Sequence, residues 1–238
     1  MKKGDMRREE LLAAAEKLFY TNGYEKTSVQ DILTAVGFSK GGFYHHFDSK
    51  LSVLEAICEN RAREVCEQAK NVVAGQEGAV EKLNALFHDA AFFSGGSTNF
   101  VALLIQVAYR EDGALMREKM KARQLEYMQS VLEDVLEEGV KTQVFFVTDI
   151  PTSAQMVLRL YMQFADDIAF LLAQGESEEK MLDGMVAKLR VYRTAIERVL
   201  VAPFGSIVLF DAKELQLLAQ DILKRRLRER ADALLAGV

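Results

Sequence analysis

The sequence predicts an all-α protein, on three observations. Apolar residues recur at spacings of three and four along nearly the whole chain, the period of a helix with one buried face. No run of alternating apolar and polar residues finds a partner with which to build a strand ladder. Glycines and capping residues stand where those helical patterns should stop and start. Of the 238 residues 50% are hydrophobic and 2 are proline. That composition excludes a disordered chain and supplies a large core in one or two domains.

Taken in order, Leu11, Ala14, Ala15, Leu18 and Phe19 form the first apolar stripe, and Gly23 stands where a helix C-terminal glycine belongs. Thr27 followed by Gln30 reads as a capping box that opens a second helix over 28–36, ended by Gly37. Ser39 caps a short third helix, 40–47, and Asp48 or Ser49 a fourth that runs to about residue 70. Breaks at AGQEG, SGGST, REDG, 140–151, AQGES and APFGS separate further helical patterns near 79–93, 98–110, 114–139, 152–173, 177–202 and 211–235. The almost continuously apolar NFVALLIQVAY is expected as a buried helix because its neighbours are helical, and QVFFVTDI is the best strand candidate. The expected organisation is a three-helix unit over 1–52 and a larger helical bundle over 53–238, joined through the fourth helix.

Charge and cysteine usage narrow the function classes. The net charge of −5 argues against a protein that coats nucleic acid non-specifically. It leaves room for a small DNA-reading face, since residues 1–52 carry eight Lys/Arg against seven Asp/Glu while the rest is acidic. No apolar run reaches the ~18 residues of a membrane span, and the N-terminus has no apolar signal core, so a cytoplasmic location without membrane contact is expected. Cys58 and Cys66 share one predicted helix without metal-ligand spacing and are expected as reduced packing residues.

The stretch VGFSKGGFYHHFDSK, residues 36–50, concentrates the chemistry. Helix 28–36, a turn at 37–39 and a short helix over 40–47 make a helix-turn-helix, whose second helix enters the major groove of DNA. Phe38, Phe43 and Phe47 can pack on Ile32 and the first helix. The opposite face is then Lys40, Gly41, Gly42, Tyr44 and His45, small at its start and hydrogen-bonding beyond. Tyr44, His45 and His46 can donate to phosphate oxygens, and Lys50 opens the next helix, where backbone N–H groups favour a phosphate. Lys40 is the candidate for a base contact, because lysine can donate to guanine O6 and N7. Adjacent residues on a helix point ~100° apart, so His45 and His46 do not converge on a metal ion.

Over residues 13–54, AAAEKLFYTNGYEKTSVQDILTAVGFSKGGFYHHFDSKLSVL, the chain resembles the TetR-type transcriptional regulators. Phe19, Gly23, Tyr24, Thr27, Asp31, Ile32, Gly37, Ser39, Lys40, Gly41, Tyr44, His45, Phe47, Lys50 and Leu54 fit the family pattern in uninterrupted register. Beyond this segment the resemblance rests on helix count and on LEEGVKTQVFFVTD. It implies a homodimer that binds double-stranded operator DNA through its N-terminal unit, with Thr27, Ser28 and Ser39 joining the residues above at the interface. It also implies a repressor released by a small, largely apolar effector held in the C-terminal bundle. One departure is Gly42, where the family often has threonine, so base readout by that position is lost.

Phe87, Phe92, Tyr109, Met116, Met120, Tyr127, Met156, Tyr161, Met162 and Phe164 lie at helical spacing. Such a stripe is ordinarily core, yet methionine and tyrosine together suit an adaptable cavity, and the residues alone leave both open. The resemblance adds a ligand pocket, for which Phe92, Leu104, Met120, Tyr127, Tyr161 and Phe164 are the candidates. Met181, Met185, Leu189, Tyr192 and Ile196 repeat at helical spacing and are the expected dimer seam. Asp166 and Asp167 interrupt an apolar run and are expected as hydrogen-bonded structural carboxylates rather than a cation site or switch. The basic run KRRLRER, 224–230, wraps more than half a helix circumference and is expected as a solvated face. No phosphate loop, nucleophile elbow or C-x-x-C is present, so neither an enzyme nor a cofactor is implied. The alternative function is a DNA-binding dimer with no effector.

Overall fold

The computed structural model describes residues 3–89, 103, 107, 114–174, 177–210 and 212–236, and among them every regular element is a helix. Three helices and the start of a fourth build the N-terminal head. α1 (Lys3–Asn22) turns Leu11, Leu12, Ala15 and Phe19 inward and stops at Gly23, whose φ of 85° closes the helix. α2 (Val29–Val36) opens with a capping box, but Ser28 and Asp31 make it rather than Thr27 and Gln30. The Ser28 hydroxyl accepts from the Asp31 N–H at 3.1 Å, and the Asp31 carboxylate accepts from the Ser28 N–H at 2.8 Å. Gly37, at φ 65°, ends it. α3 (Lys40–Tyr44) is capped by Ser39 and is shorter than the pattern suggested, since His46 and Phe47 already lie beyond its end. Two glycines among its five residues explain the length: each adds backbone entropy and no side-chain contact.

α4 (Lys50–Ala74) starts with a Ser49–Ser52 capping box and belongs to two cores. Its first turns, Val53 to Cys58, pack in the head with Ile32, Leu33, Phe43 and Phe47. Further along, Cys66 and Ala69 pack in the bundle. The head's core thus reaches past residue 52, and it also takes in Leu103 and Val107. Arg61 clamps α4 to α1 by donating from Nε and Nη2 to Glu16 Oε1 at 3.1 and 2.8 Å.

The bundle comprises α5 (Ala79–Asp89), α6 (Ala114–Lys141), α7 (Ile150–Gln174), α8 (Glu178–Leu200) and α9 (Ala212–Ala236). α7 packs between α6 and α8, α4 meets α5 and α6, and α9 lies along α8. The segment proposed as a strand is a helix-to-helix turn. Phe145, fully buried, lies against Gly139, where a Cβ would collide with its ring, while Val144 and Phe145 both donate to the Gly139 carbonyl. Phe146 donates to Leu200 at the end of α8. A segment whose backbone bonds go to helix ends has no ladder to join.

The C-terminal helix, which the resemblance did not place, is bundle wall. Leu215, Ala219 and Ile222 are buried against it. The loop leading to it is held from inside: Glu197, 3% exposed, accepts from the Gly205 and Ile207 N–H groups at 2.9 and 3.3 Å. The Asn84 side chain donates to Ser206 O and accepts from the Val208 N–H, both at 2.8 Å. No helix among the described residues is long and apolar enough to cross a membrane.

Candidate nucleic-acid interface

α3 presents the surface on which the sequence concentrated its chemistry. Phe43 and Phe47 are buried with ring centroids 6.0 Å apart, and Phe43 packs edge-on against Tyr44 at 5.3 Å. Those two phenylalanines fix the roll of α3, which leaves Lys40, Gly41, Tyr44 and His45 exposed. Tyr44 is 56% exposed, as a phosphate or base donor requires. A Cβ on Gly41 would meet nothing within 4 Å, so the backbone itself is the surface there. The rings of His45 and His46 meet edge-on, 5.1 Å apart at 68°. Among the described residues no three His, Cys, Asp or Glu side chains group as metal ligands would.

Three of the residues expected at DNA have other work. Thr27 is fully buried and its hydroxyl bonds the Gly23 and Leu18 carbonyls at 2.8 and 3.3 Å, so it ties the α1–α2 turn together. Ser28 donates its hydroxyl proton to Asp31 Oδ2 at 2.7 Å, and its N–H and hydroxyl hold that carboxyl below the usual carboxylate range; it is a cap, with its donor already used. Lys50 is drawn inward. Its ammonium donates to the Tyr24 carbonyl at 2.7 Å and lies 4.1 Å from the Tyr24 ring centroid. Partial burial pulls its pKa below the ordinary lysine value, against the neighbouring Glu25 charge. Ser39, the α3 cap, accepts from the Gly42 N–H at 3.2 Å and remains exposed.

Sequence reasoning missed two contacts between the start of α1 and aromatic rings of the head. The Arg7 guanidinium lies 5.4 Å from the Phe38 ring centroid and that of Arg8 5.3 Å from Phe47. Nothing in their spacing could have indicated it, because each contact joins residues far apart in the chain.

The residues expected to line an effector pocket do not form one group. Met120, on α6, packs against the head core rather than the bundle. Tyr127 packs at the edge of the bundle core and donates to Glu59 on α4 at 3.3 Å. Tyr161 is buried, stacks on Phe87 at 4.8 Å and donates to its carbonyl at 3.0 Å. Phe164 is 1% exposed and meets Tyr192 at 5.8 Å between ring centroids. Phe92 and Leu104 lie outside the described residues.

The residues of the expected dimer seam pack largely within the chain. Met181, Met185 and Ile196 are 1%, 0% and 0% exposed in one chain, and Leu189 and Tyr192 are half-buried against the same core. Their helical spacing marks the face α8 turns to its own bundle, which leaves little of it for a second copy. The outward faces of the two neighbouring helices carry other apolar residues: Met156 and Phe170 on α7, 48% and 53% exposed, and Val191 on α8, 66% exposed.

Asp166 and Asp167 are both paired. Asp166 accepts from Lys121 at 2.9 Å, and Asp167 from Lys188, Gln163 and Tyr192 at 2.7, 2.9 and 3.1 Å. Burial pushes the Asp167 carboxyl up, but those three donors outweigh it and hold it below the usual range. His88 pairs with Glu214 across α5 and α9 at 3.2 Å. Cys58 and Cys66 are free and buried, and burial pushes the Cys58 thiol up to about 12, where it is inert.

Comparison with known proteins agrees with this geometry. Residues 11–57 match the model of the bacterial regulatory proteins of the tetR family. The chain is 41% identical over 56 residues to an HTH-type transcriptional regulator of Lactococcus lactis, covering 24% of this chain and 29% of that one. The match at that identity therefore spans well under half of the relative. A longer match, 26% identical over 199 residues, covers 80% of this chain and 93% of the HTH-type transcriptional repressor AcnR of Corynebacterium efficiens. The fold superposes on a TetR-family regulator from Pectobacterium atrosepticum with a TM-score of 0.63 at 19% identity, covering 84% of this chain and 97% of that one. These relatives are transcriptional regulators rather than enzymes. Residues 11–57 thus match the tetR-family model, and over most of its length the chain is similar in sequence to an HTH-type transcriptional repressor and in fold to a TetR-family regulator.

Proposed function

We propose that this chain is a dimeric, sequence-specific DNA-binding repressor. The observation that carries the reading is the exposed face of α3: Lys40, Gly41, Tyr44 and His45 stand out from a head whose Phe43 and Phe47 are buried behind them. A helix of that kind, capped by Ser39 and small at its start, can lie close in a major groove. Repression is supported by the relative AcnR, which is named a repressor.

The dimer would form through the outward faces of α7 and α8, where Met156, Phe170 and Val191 stay exposed, rather than through the buried methionines. Selection of duplexes from a randomised library by the full chain tests the reading. An enriched palindrome, with half-sites one or more helical turns apart, is the expected result. Absence of any enriched sequence would rule it out.

Release by a small apolar effector is the finer part of the proposal. Its support is the aromatic and methionine content of the bundle, together with Tyr127 reaching across to α4, the helix that also carries the head. The reading without an effector draws on a specific observation: Tyr161 and Phe164 are already packed, and the Tyr161 hydroxyl is satisfied by Phe87. Native mass spectrometry of the purified dimer separates the two. A co-purified small molecule whose removal changes operator affinity favours release; a bare dimer of unchanged affinity favours a plain DNA-binding scaffold.

A further inference from the structure

We infer that Arg7 is a DNA-contacting residue, brought beside the recognition helix by the ring of Phe38, and that it grips a backbone phosphate at the edge of the groove α3 enters. The inference rests on α3 being the reading helix.

Phe38 occupies the turn between α2 and α3, immediately before the Ser39 cap, and its N–H donates to Leu33 at 3.0 Å. Its half-buried ring faces α3: Cδ1 lies 3.1 Å from where a Cβ on Gly42 would stand. The Arg7 guanidinium sits over that ring, 5.4 Å from its centroid. Arg7, Phe38 and Gly42 therefore lie in one row, and an exposed cation from α1 ends beside the first turn of α3.

Three physical points make this a binding group rather than surface decoration. A guanidinium held over a ring is engaged through its face, so its in-plane N–H donors remain available for a second partner, and phosphate oxygens match their fork. Ordering on the ring also removes part of the rotamer freedom a long side chain would otherwise lose on binding. Finally, among the described side chains no carboxylate lies within ion-pair distance of Arg7, whereas its neighbour Arg8 is paired with Glu9 at 3.1 Å. The two arginines share a cation–π seat and differ in whether their charge is already answered.

The same row accounts for Gly42. A Cβ at that position would stand 3.1 Å from the Phe38 ring, which would have to give by a few tenths of an ångström beneath Arg7. With Lys50 committed to the Tyr24 carbonyl, Arg7 supplies the phosphate-directed cation that the start of α4 does not.

Duplexes recovered from a randomised library by the wild-type chain serve as the probe, together with scrambled duplexes, titrated at several salt concentrations. Arg7→Ala should lower the slope of log affinity against log salt by about one and weaken binding about five-fold at ~0.15 M salt, on both kinds of duplex. Arg7→Lys should keep the slope, and Arg8→Ala should leave slope and affinity unchanged. In a Phe38→Leu background, which keeps apolar bulk but removes the ring, Arg7→Ala should cost less than about two-fold, the signature of coupled residues. Thermal melting checks that Arg7→Ala, an exposed substitution, folds as the wild type does. An Arg7→Ala chain with wild-type slope and affinity overturns the inference, and so does an equal loss in Arg8→Ala. A full five-fold loss retained in the Phe38→Leu background overturns the role of the ring. A wild-type chain that enriches no sequence and binds no duplex overturns the DNA-binding reading itself, a failure visible before any variant is made.

Discussion

The ammonium of Lys50 is spent on the Tyr24 carbonyl and ring, whereas Lys40 extends into solvent at the first turn of α3. Their alanine variants should therefore fail differently. Lys50→Ala should lower the melting temperature by a few degrees and leave the salt slope of DNA binding unchanged, because a tie within the head is lost and no phosphate contact. Lys40→Ala should melt normally and relax preference at one or two operator positions, costing about 1–3 kcal/mol on the cognate base. Affinities on singly substituted duplexes decide between a base contact and a phosphate clamp. Thr27 is the third residue of this kind. Replacing its buried hydroxyl by a methyl, Thr27→Val, leaves two carbonyls short of a donor and should cost about 1–2 kcal/mol in denaturant unfolding. All three residues lie in the segment that resembled the family, and the internal hydrogen bonds of Thr27 and Lys50 set them apart from the exposed Lys40.

Among the helices, α8 turns one apolar stripe inward and leaves Val191 exposed on its outer face. Met181, Met185 and Ile196 are claimed by the chain's own core, so the outward Val191 becomes the residue to test. Val191→Asp should shift the dimer to monomer in sedimentation at micromolar concentration while leaving the helical content intact, since a charge in an apolar interface core is costly. The α7–α8 contact also carries a pH dependence. Asp167 has its folded-state pKa depressed, so its pairing with Lys188, Gln163 and Tyr192 contributes stability above the unfolded carboxylate value of about 4. That contribution fades as pH falls through the folded value. Asp167→Asn should accordingly destabilise by about 1–2 kcal/mol at pH 7 and by progressively less toward pH 3, in paired unfolding curves.

For the molecule as a unit, α4 serves both cores, and α6 reaches the head core as well through Met120. Val53 to Cys58 serve the head, Cys66 and Ala69 the bundle, and Lys119 on α6 pairs with Glu55 on α4 at 2.9 Å. Buried contacts on α4 therefore join the head to the bundle. Phe164 belongs to the bundle core and not to that of the head. Phe164→Ala should cost about 3–5 kcal/mol of stability through the cavity it opens. At a temperature where the variant remains folded, operator affinity should stay within about two-fold of wild type, because no head contact is removed. Loss of affinity parallel to loss of stability would mean that head and bundle unfold together.

The class, the order of the described helices and the location of the helix-turn-helix were all legible in the chain's own residues. Those features are local: helical periodicity, glycine termini and serine caps act within a few residues, and GFSKGGFYHHF carries its buried and exposed faces in its spacing. Helix ends were less legible. α3 stops at Tyr44 because glycine weakens it, and the α2 cap is Ser28 rather than Thr27 because the tertiary fold buries the threonine hydroxyl against Leu18 and Gly23. That the Met181–Ile196 stripe of α8 faces the chain's own core, that Met120 joins the head core, and that Arg7 sits over Phe38 emerge only from contacts between distant helices. Periodicity defines a face and says nothing of what it meets. The partner of a face is chosen when distant helices compete to bury it, and that competition leaves no mark at any single position of the chain.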